Sequence, residues 1–175
     1  MAPPKAVYTA LSRLAEEGVI RRISRGIYEY PAYSDFLNTS LSPNMEKIAM
    51  AIARKFGWII HPEGETALNI LGLSTQIPSK YVYLTNGENR CFKIGNQEIV
   101  FRKRSAAQMS LSYKTSLVVQ ALKAIGDASL TKKHLRKIGK QLTGNEKGRI
   151  LKETKSLPDW IYNHIKTICE ELNDG

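Results

Sequence analysis

Between residues 3 and 31 the spacing of apolar side chains changes once, from a helical period to a strand period, and a glycine stands at each of the two reversals. Residues 3–17 (PPKAVYTALSRLAEE) place Val7, Leu11 and Leu14 four and three apart, with Ala10 beside them. That spacing draws a single apolar stripe along a helix. Pro3 and Pro4 suit its first turn, where backbone amides have no intrahelical partner, and Gly18 stops it. Residues 19–30 (VIRRISRGIYEY) predict two short strands around Ser24-Arg25-Gly26, a hairpin whose turn uses the positive φ that glycine allows. Pro31 ends the segment. A lone helix and hairpin cannot bury the stripe by themselves, so the segment must dock on the C-terminal part or on a second chain.

Further along, residues 32–44 read as a linker. Ser42 or Asn44 caps a helix over 44–56 with the stripe Met45, Ile48, Ile52 and Phe56. Trp58, Ile59 and Ile60 predict a short buried strand, Pro62 to Gly64 a turn, and Thr66 to Leu71 a short helix. Residues 81–84, 90–94 and 98–103 are rich in β-formers, and Asn86-Gly87 and Gly95-Asn96 are hairpin signals, so a three-stranded antiparallel meander is expected. Residues 112–125 return to helix. The stretch 130–175 predicts two or three helices. One carries Leu135, Ile138 and Leu142; the last, which Pro158 begins, carries Trp160, Ile161, Ile165, Ile168 and Leu172. The fold class is α+β: a partial N-terminal winged helix (1–33), a linker (34–44), an α/β middle domain with a small antiparallel sheet (45–130), and a basic helical tail (131–175).

The charge is uneven. The net +10 divides into +2 over residues 1–100 and +8 over 101–175, and an excess of that kind attracts polyanions, nucleic acid first among them. A hydrophobic fraction of 42% supports a packed core. No apolar run approaches a membrane span and no signal peptide is evident, so a cytoplasmic location is expected. Cys91 and Cys169 belong to no CxxC pair and read as free, buried thiols.

Catalytic patterns are missing. His61-Pro62-Glu63 matches half of a zinc deaminase signature, but neither cysteine supplies the P-C-x-x-C half. There is no G-x-S-x-G elbow, no phosphate loop and no G-x-G-x-x-G fingerprint. His61, His134 and His164 stand singly. The chain is therefore expected to have no catalytic residues, metal or cofactor, although sites assembled from distant residues often lack local motifs.

Recognition chemistry is present. Lys5, Tyr8, Thr9, Ser12 and Arg13 lie off the apolar stripe of the first helix. The major groove admits one helix, which must offer hydrogen-bonding side chains to base edges. Arg13 suits guanine, while Tyr8, Thr9 and Ser12 suit bases or phosphates. Arg21, Arg22 and Arg25 in the hairpin suit flanking phosphates or the minor groove. Lys133, Arg136, Lys137 and Lys140 form a secondary basic patch, within a stretch (131–155) of nine basic and two acidic residues. That stretch has no aromatic residue, which disfavours single-strand binding. Two readings follow: a double-stranded DNA binder, or a protein-interaction module or RNA binder that uses the basic tail.

Three stretches taken together, RLAEEGVIRRISRGIYEYP (13–31), HPEGETALNILGLSTQIPSKYVYLTNG (61–87) and KIGNQEIVFRKRS (93–105), resemble bacterial AbiEi-like antitoxins, the regulator half of type IV toxin–antitoxin pairs. The match is nearest to a branch with no assigned function, and it covers roughly residues 5–130. The resemblance implies a winged helix that represses its own operon, and a C-terminal α/β domain that counters a nucleotidyltransferase-like toxin without needing to grip it. It assigns DNA reading to Lys5, Tyr8, Thr9, Ser12 and Arg13, with Arg21, Arg22 and Arg25 in the wing. A complete winged helix has two further helices ahead of the recognition helix. Paired half-sites suit a homodimer.

Overall fold

Pro4–Glu16 form the first helix, α1, in the computed structural model, which describes residues 4–36 and 38–170. Pro3 and Leu172 lie outside the described residues. After α1 the Val19 and Ile20 amides both reach back to the Leu14 carbonyl, at 3.0 and 3.3 Å, and Gly18 takes φ +74°. Strands β1 (Arg21–Ser24) and β2 (Ile27–Glu29) pair antiparallel, with Gly26 at φ +75° in the turn.

The expected linker is partly ordered into a ribbon, β3 (Tyr33–Ser34) with β4 (Thr39–Ser40). The Tyr33 hydroxyl and the Asn38 Oδ1 lie 2.5 Å apart across its turn. Helix α2 (Met45–Phe56) is capped by Asn44, whose Oδ1 accepts the Lys47 amide at 2.9 Å. It buries Met45, Ile48, Ala49, Ile52 and Ala53.

The chain divides into two compact units, 1–56 and 57–175. Helix α2 thus belongs with the N-terminal hairpin and not with the 45–130 domain expected for it. Side chains account for this. Glu29 accepts the Asn44 amide at 3.2 Å before α2 begins, and Lys55 at its far end donates to the Arg25 carbonyl at 2.6 Å. The apolar stripe of α1 is not buried: Leu11 and Leu14 are half-buried, while Ala10 and Val7 are exposed.

The second unit is built on a four-stranded mixed sheet of order β5-β6-β8-β7. Its strands are β5 (Ile60–Pro62), β6 (Lys80–Thr85), β7 (Arg90–Ile94) and β8 (Gln97–Lys103), with α3 (Glu65–Ile70) between β5 and β6. Two expectations are corrected. The first strand starts at Ile60, with Ile59 exposed, and the register Ile60↔Thr85, His61↔Leu84, Pro62↔Tyr83 puts Pro62 on an edge strand, where a missing amide is tolerated.

The three strands are also not a meander, because β6 runs parallel to β8 and β7 lies beyond it. Gly95-Asn96 does make a two-residue hairpin loop, with Gly95 at φ +59°. Asn86-Gly87 does not, and neither residue adopts positive φ. Instead Asn86 Oδ1 accepts the Ile59 amide at 2.8 Å, and a Cβ on Gly87 would stand 2.3 Å from the Trp58 ring. The pair fastens the end of β6 to the chain entering β5, leaving the place beside β6 to β8. Cys91, expected to be buried, is exposed on the edge strand β7.

Helices α4 (Tyr113–Ile125), α5 (Lys132–Gly139), α6 (Gly144–Glu153) and α7 (Asp159–Glu170) complete the unit. Leu117, Val118 and Leu122 of α4 share one core with Leu135, Ile138, Leu142, Ile150, Ile161, Ile165 and Ile168. Residues 131–170 are therefore part of the second unit's core, not an appendage. Thr131 and Thr143 start α5 and α6 with capping boxes. Among the described residues no helix is long and apolar enough to cross a membrane.

Candidate nucleic-acid interface

The register of the hairpin sorts its arginines. Arg21 pairs with Glu29 and Arg22 with Tyr28, and neighbours along a strand point to opposite faces. Arg21 is 3.5 Å from the Glu29 carboxylate and donates to the Leu41 carbonyl at 3.3 Å. Its guanidinium joins β1, β2 and the chain just after β4, a structural engagement that the other two arginines of the hairpin lack. Arg22 and Arg25 are exposed, and neither has an ion-pair partner among the described residues.

Both arginines line a groove of about 630 Å³ together with Tyr8, Leu11 and Ser12 of α1, Gly26 and Tyr28 of the hairpin, and Lys55 of α2. The structure thus brings together Tyr8, Ser12, Arg22 and Arg25 of the eight residues expected to read DNA. Ser12 Oγ also lies 3.4 Å from Glu16. Lys5, Thr9 and Arg13 follow the next face of α1, beside Ala6 and Ala10. Thr9 bonds back to the Lys5 carbonyl at 3.0 Å, and Arg13 pairs with Glu17 at 3.4 Å, four residues on. Such exposed pairs are weak and exchange readily for another anion.

Tyr28 and Lys55 were not among the expected residues. Tyr28 was open to inference, since strand pairing sets it opposite Arg22. Lys55 was not, because thirty residues of chain separate it from Arg25 and only the return of α2 joins them.

Residues 1–150 match a family described as being of unknown function, DUF6088. The chain belongs to the DUF6088 family. No curated protein and no solved structure matches it. The DUF6088 match spans the whole groove, the sheet, α4 and α5, so both basic surfaces lie inside it.

In this DUF6088 chain the second basic surface is one side of α5. At 100° per residue, Lys132, Lys133, Arg136, Lys137 and Lys140 fall within an arc of about 140°, and the helix carries no acidic residue. Lys133, Arg136 and Lys140 are exposed. Lys137, also exposed, differs from its neighbours in that its ammonium donates to the Gly72 carbonyl just past α3. Gln141 adds a bond to the Leu71 carbonyl at 2.9 Å.

The His61-Pro62-Glu63 segment has a structural setting. His61 is buried, and Glu63 pairs with Arg102 and Arg104 at 3.2 and 3.6 Å. Among the described residues, no three His, Cys, Asp or Glu side chains converge as a metal site.

Proposed function

We propose that this chain is a cytoplasmic, DNA-binding transcriptional regulator whose groove between α1, the β1–β2 hairpin and Lys55 lies against duplex DNA. The observation that carries the reading is the exposure of Arg22 and Arg25. Two guanidiniums with no ion-pair partner among the described residues are held on a short hairpin, in a groove also lined by Tyr8, Ser12 and Tyr28. A cationic edge next to a polar helix face supplies the two kinds of contact a duplex takes, cations for phosphates and hydrogen-bonding side chains for base edges. The resemblance of residues 13–31, 61–87 and 93–105 to AbiEi-like antitoxins extends the reading. The regulator represses its own operon as a homodimer on paired half-sites, and its second unit counters a nucleotidyltransferase-like toxin.

A mobility-shift assay on the region upstream of the chain's own gene tests this. The expected result is a salt-sensitive shift that Arg22→Ala with Arg25→Ala removes while the protein stays folded. A shift unchanged by that double substitution would refute the groove as the DNA site.

The exposed Lys133 and Lys140 favour a second reading, in which the tail meets RNA or an acidic protein. Retention of such a partner by the double arginine variant, with no binding to duplex DNA by the wild type, would select it.

A further inference from the structure

We infer that the cavity between the β5–β6 edge of the sheet and α4 binds a small organic anion that also carries a hydrogen-bond donor. Its volume is about 550 Å³, inside the usual range of small-molecule sites (roughly 300–1,000 Å³). Leu84, Leu111, Val119 and Leu157 give it an apolar wall.

Two carboxylates on its rim are already committed. Glu63 faces Arg102 and Arg104. Glu153 accepts the Ser112 amide and hydroxyl at 2.9 and 2.8 Å, which fixes the start of α4.

Unspent donors remain. Lys123, Gln120 and Ser156 line the cavity, and none has a hydrogen-bond or ionic partner among the described residues. Arg104, shared between Glu63 and the Lys103 carbonyl, keeps further N–H groups. A phosphate or carboxylate on the ligand would satisfy Lys123 and Arg104.

A second observation sets the other half of the ligand. His61 is 1% exposed, and its Nδ1 has no hydrogen-bond partner among the described residues. His61 is the register partner of Leu84 and stands two residues before Glu63, so it lies on the cavity's side of the sheet. His61 stands behind the lining residues, so the ligand's hydroxyl or amine falls to Gln120, whose amide oxygen is an acceptor on the cavity wall with no partner among the described residues. Nucleoside monophosphates and hydroxylated aromatic carboxylates share this chemistry.

The test titrates the isotope-labelled full chain with AMP, with para-hydroxybenzoate and with inorganic phosphate, each to millimolar concentration. Expected are saturable shifts of the Leu84, Leu111, Val119 and Leu157 methyls and of the His61 ring with one of the two organic anions, whose identity names the source. Lys123→Gln removes a charge-assisted bond and should weaken that binding at least about tenfold. The melting temperature should not change, because Lys123 is exposed. The inference is overturned if neither organic anion gives saturable shifts, if Lys123→Gln binds as the wild type does, or if inorganic phosphate binds as tightly as either.

Discussion

A methyl group is the margin at Gly87. With a Cβ there 2.3 Å from the Trp58 ring, Gly87→Ala forces Trp58 or the β6–β7 connection to shift. Overpacking of this kind costs about 1–3 kcal/mol, measured as a lower urea midpoint followed by tryptophan fluorescence. Gly148→Ala, inside α6 with nothing within 4 Å, is the control and should be neutral or stabilising by up to about 1 kcal/mol. Equal midpoints for the two variants would remove the steric argument. His61 sets a pH dependence at the same scale. Burial pushes its pKa below the ordinary 6.5, against smaller opposing effects of Glu153 and the Leu111 backbone. The unfolded chain then binds a proton that the folded one refuses, so stability is full above pH 6.5 and falls as pH drops from there toward the folded value. Glu153 acts lower down. Burial alone raises its pKa, but hydrogen bonds from Thr115 and Ser112 outweigh that and leave it below 4.5, so its contribution is lost as pH falls from 4.5. Urea midpoints measured against pH should decline in both windows, and His61→Asn should flatten only the upper one.

Among the elements, those set by local chemistry were legible in the chain. Helix α1, its Gly18 stop, the hairpin around Gly26 and the Asn44 cap of α2 each follow from residues a few positions apart, and they formed as expected. What the sequence hid was which element each one meets. Asn86-Gly87 carries a strong hairpin signal, but Trp58, almost thirty residues earlier, takes the glycine's open side. Lys55 joins the candidate groove only through the fold of α2, and a period-two pattern alone could not tell that Arg21 would be matched by Glu29. The same limit applies to Lys137, which the helical pattern groups with Lys133 and Lys140 although its ammonium serves the carbonyl after α3. Lys137→Met should therefore lower stability by about 0.3–1 kcal/mol, the usual value of a cation at a helix C-terminal end. It should leave affinity for a polyanion nearly as it was, whereas Lys133→Ala with Lys140→Ala should do the reverse. Thermal melts and anisotropy titrations on the same samples read both effects, and loss of affinity in Lys137→Met with unchanged melting would return that residue to the basic surface.

At the scale of the whole molecule, the question is what its +10 charge does in each unit. Residues 1–56 hold eight basic and five acidic side chains, whereas 131–155 hold nine and two, so most of the excess lies away from the groove. A charge excess of this kind raises affinity for any duplex, because each neutralised phosphate releases counterions regardless of base sequence. Discrimination must come from groups that are few, oriented and close to base edges, and under the proposed function that part falls to Tyr8, Ser12, Arg22 and Arg25, which line the groove. The two surfaces therefore separate in a salt titration on two duplexes, one from upstream of the chain's own gene and one unrelated. Replacing Arg22 and Arg25 by Ala should reduce the log–log salt slope by about 1.8, at roughly 0.9 per phosphate contact, and should bring the two affinities together. Replacing Lys133 and Lys140 should weaken both duplexes alike and leave their ratio unchanged. If the arginine variant keeps the wild-type ratio of affinities, recognition lies outside the groove and the regulator reading loses its site.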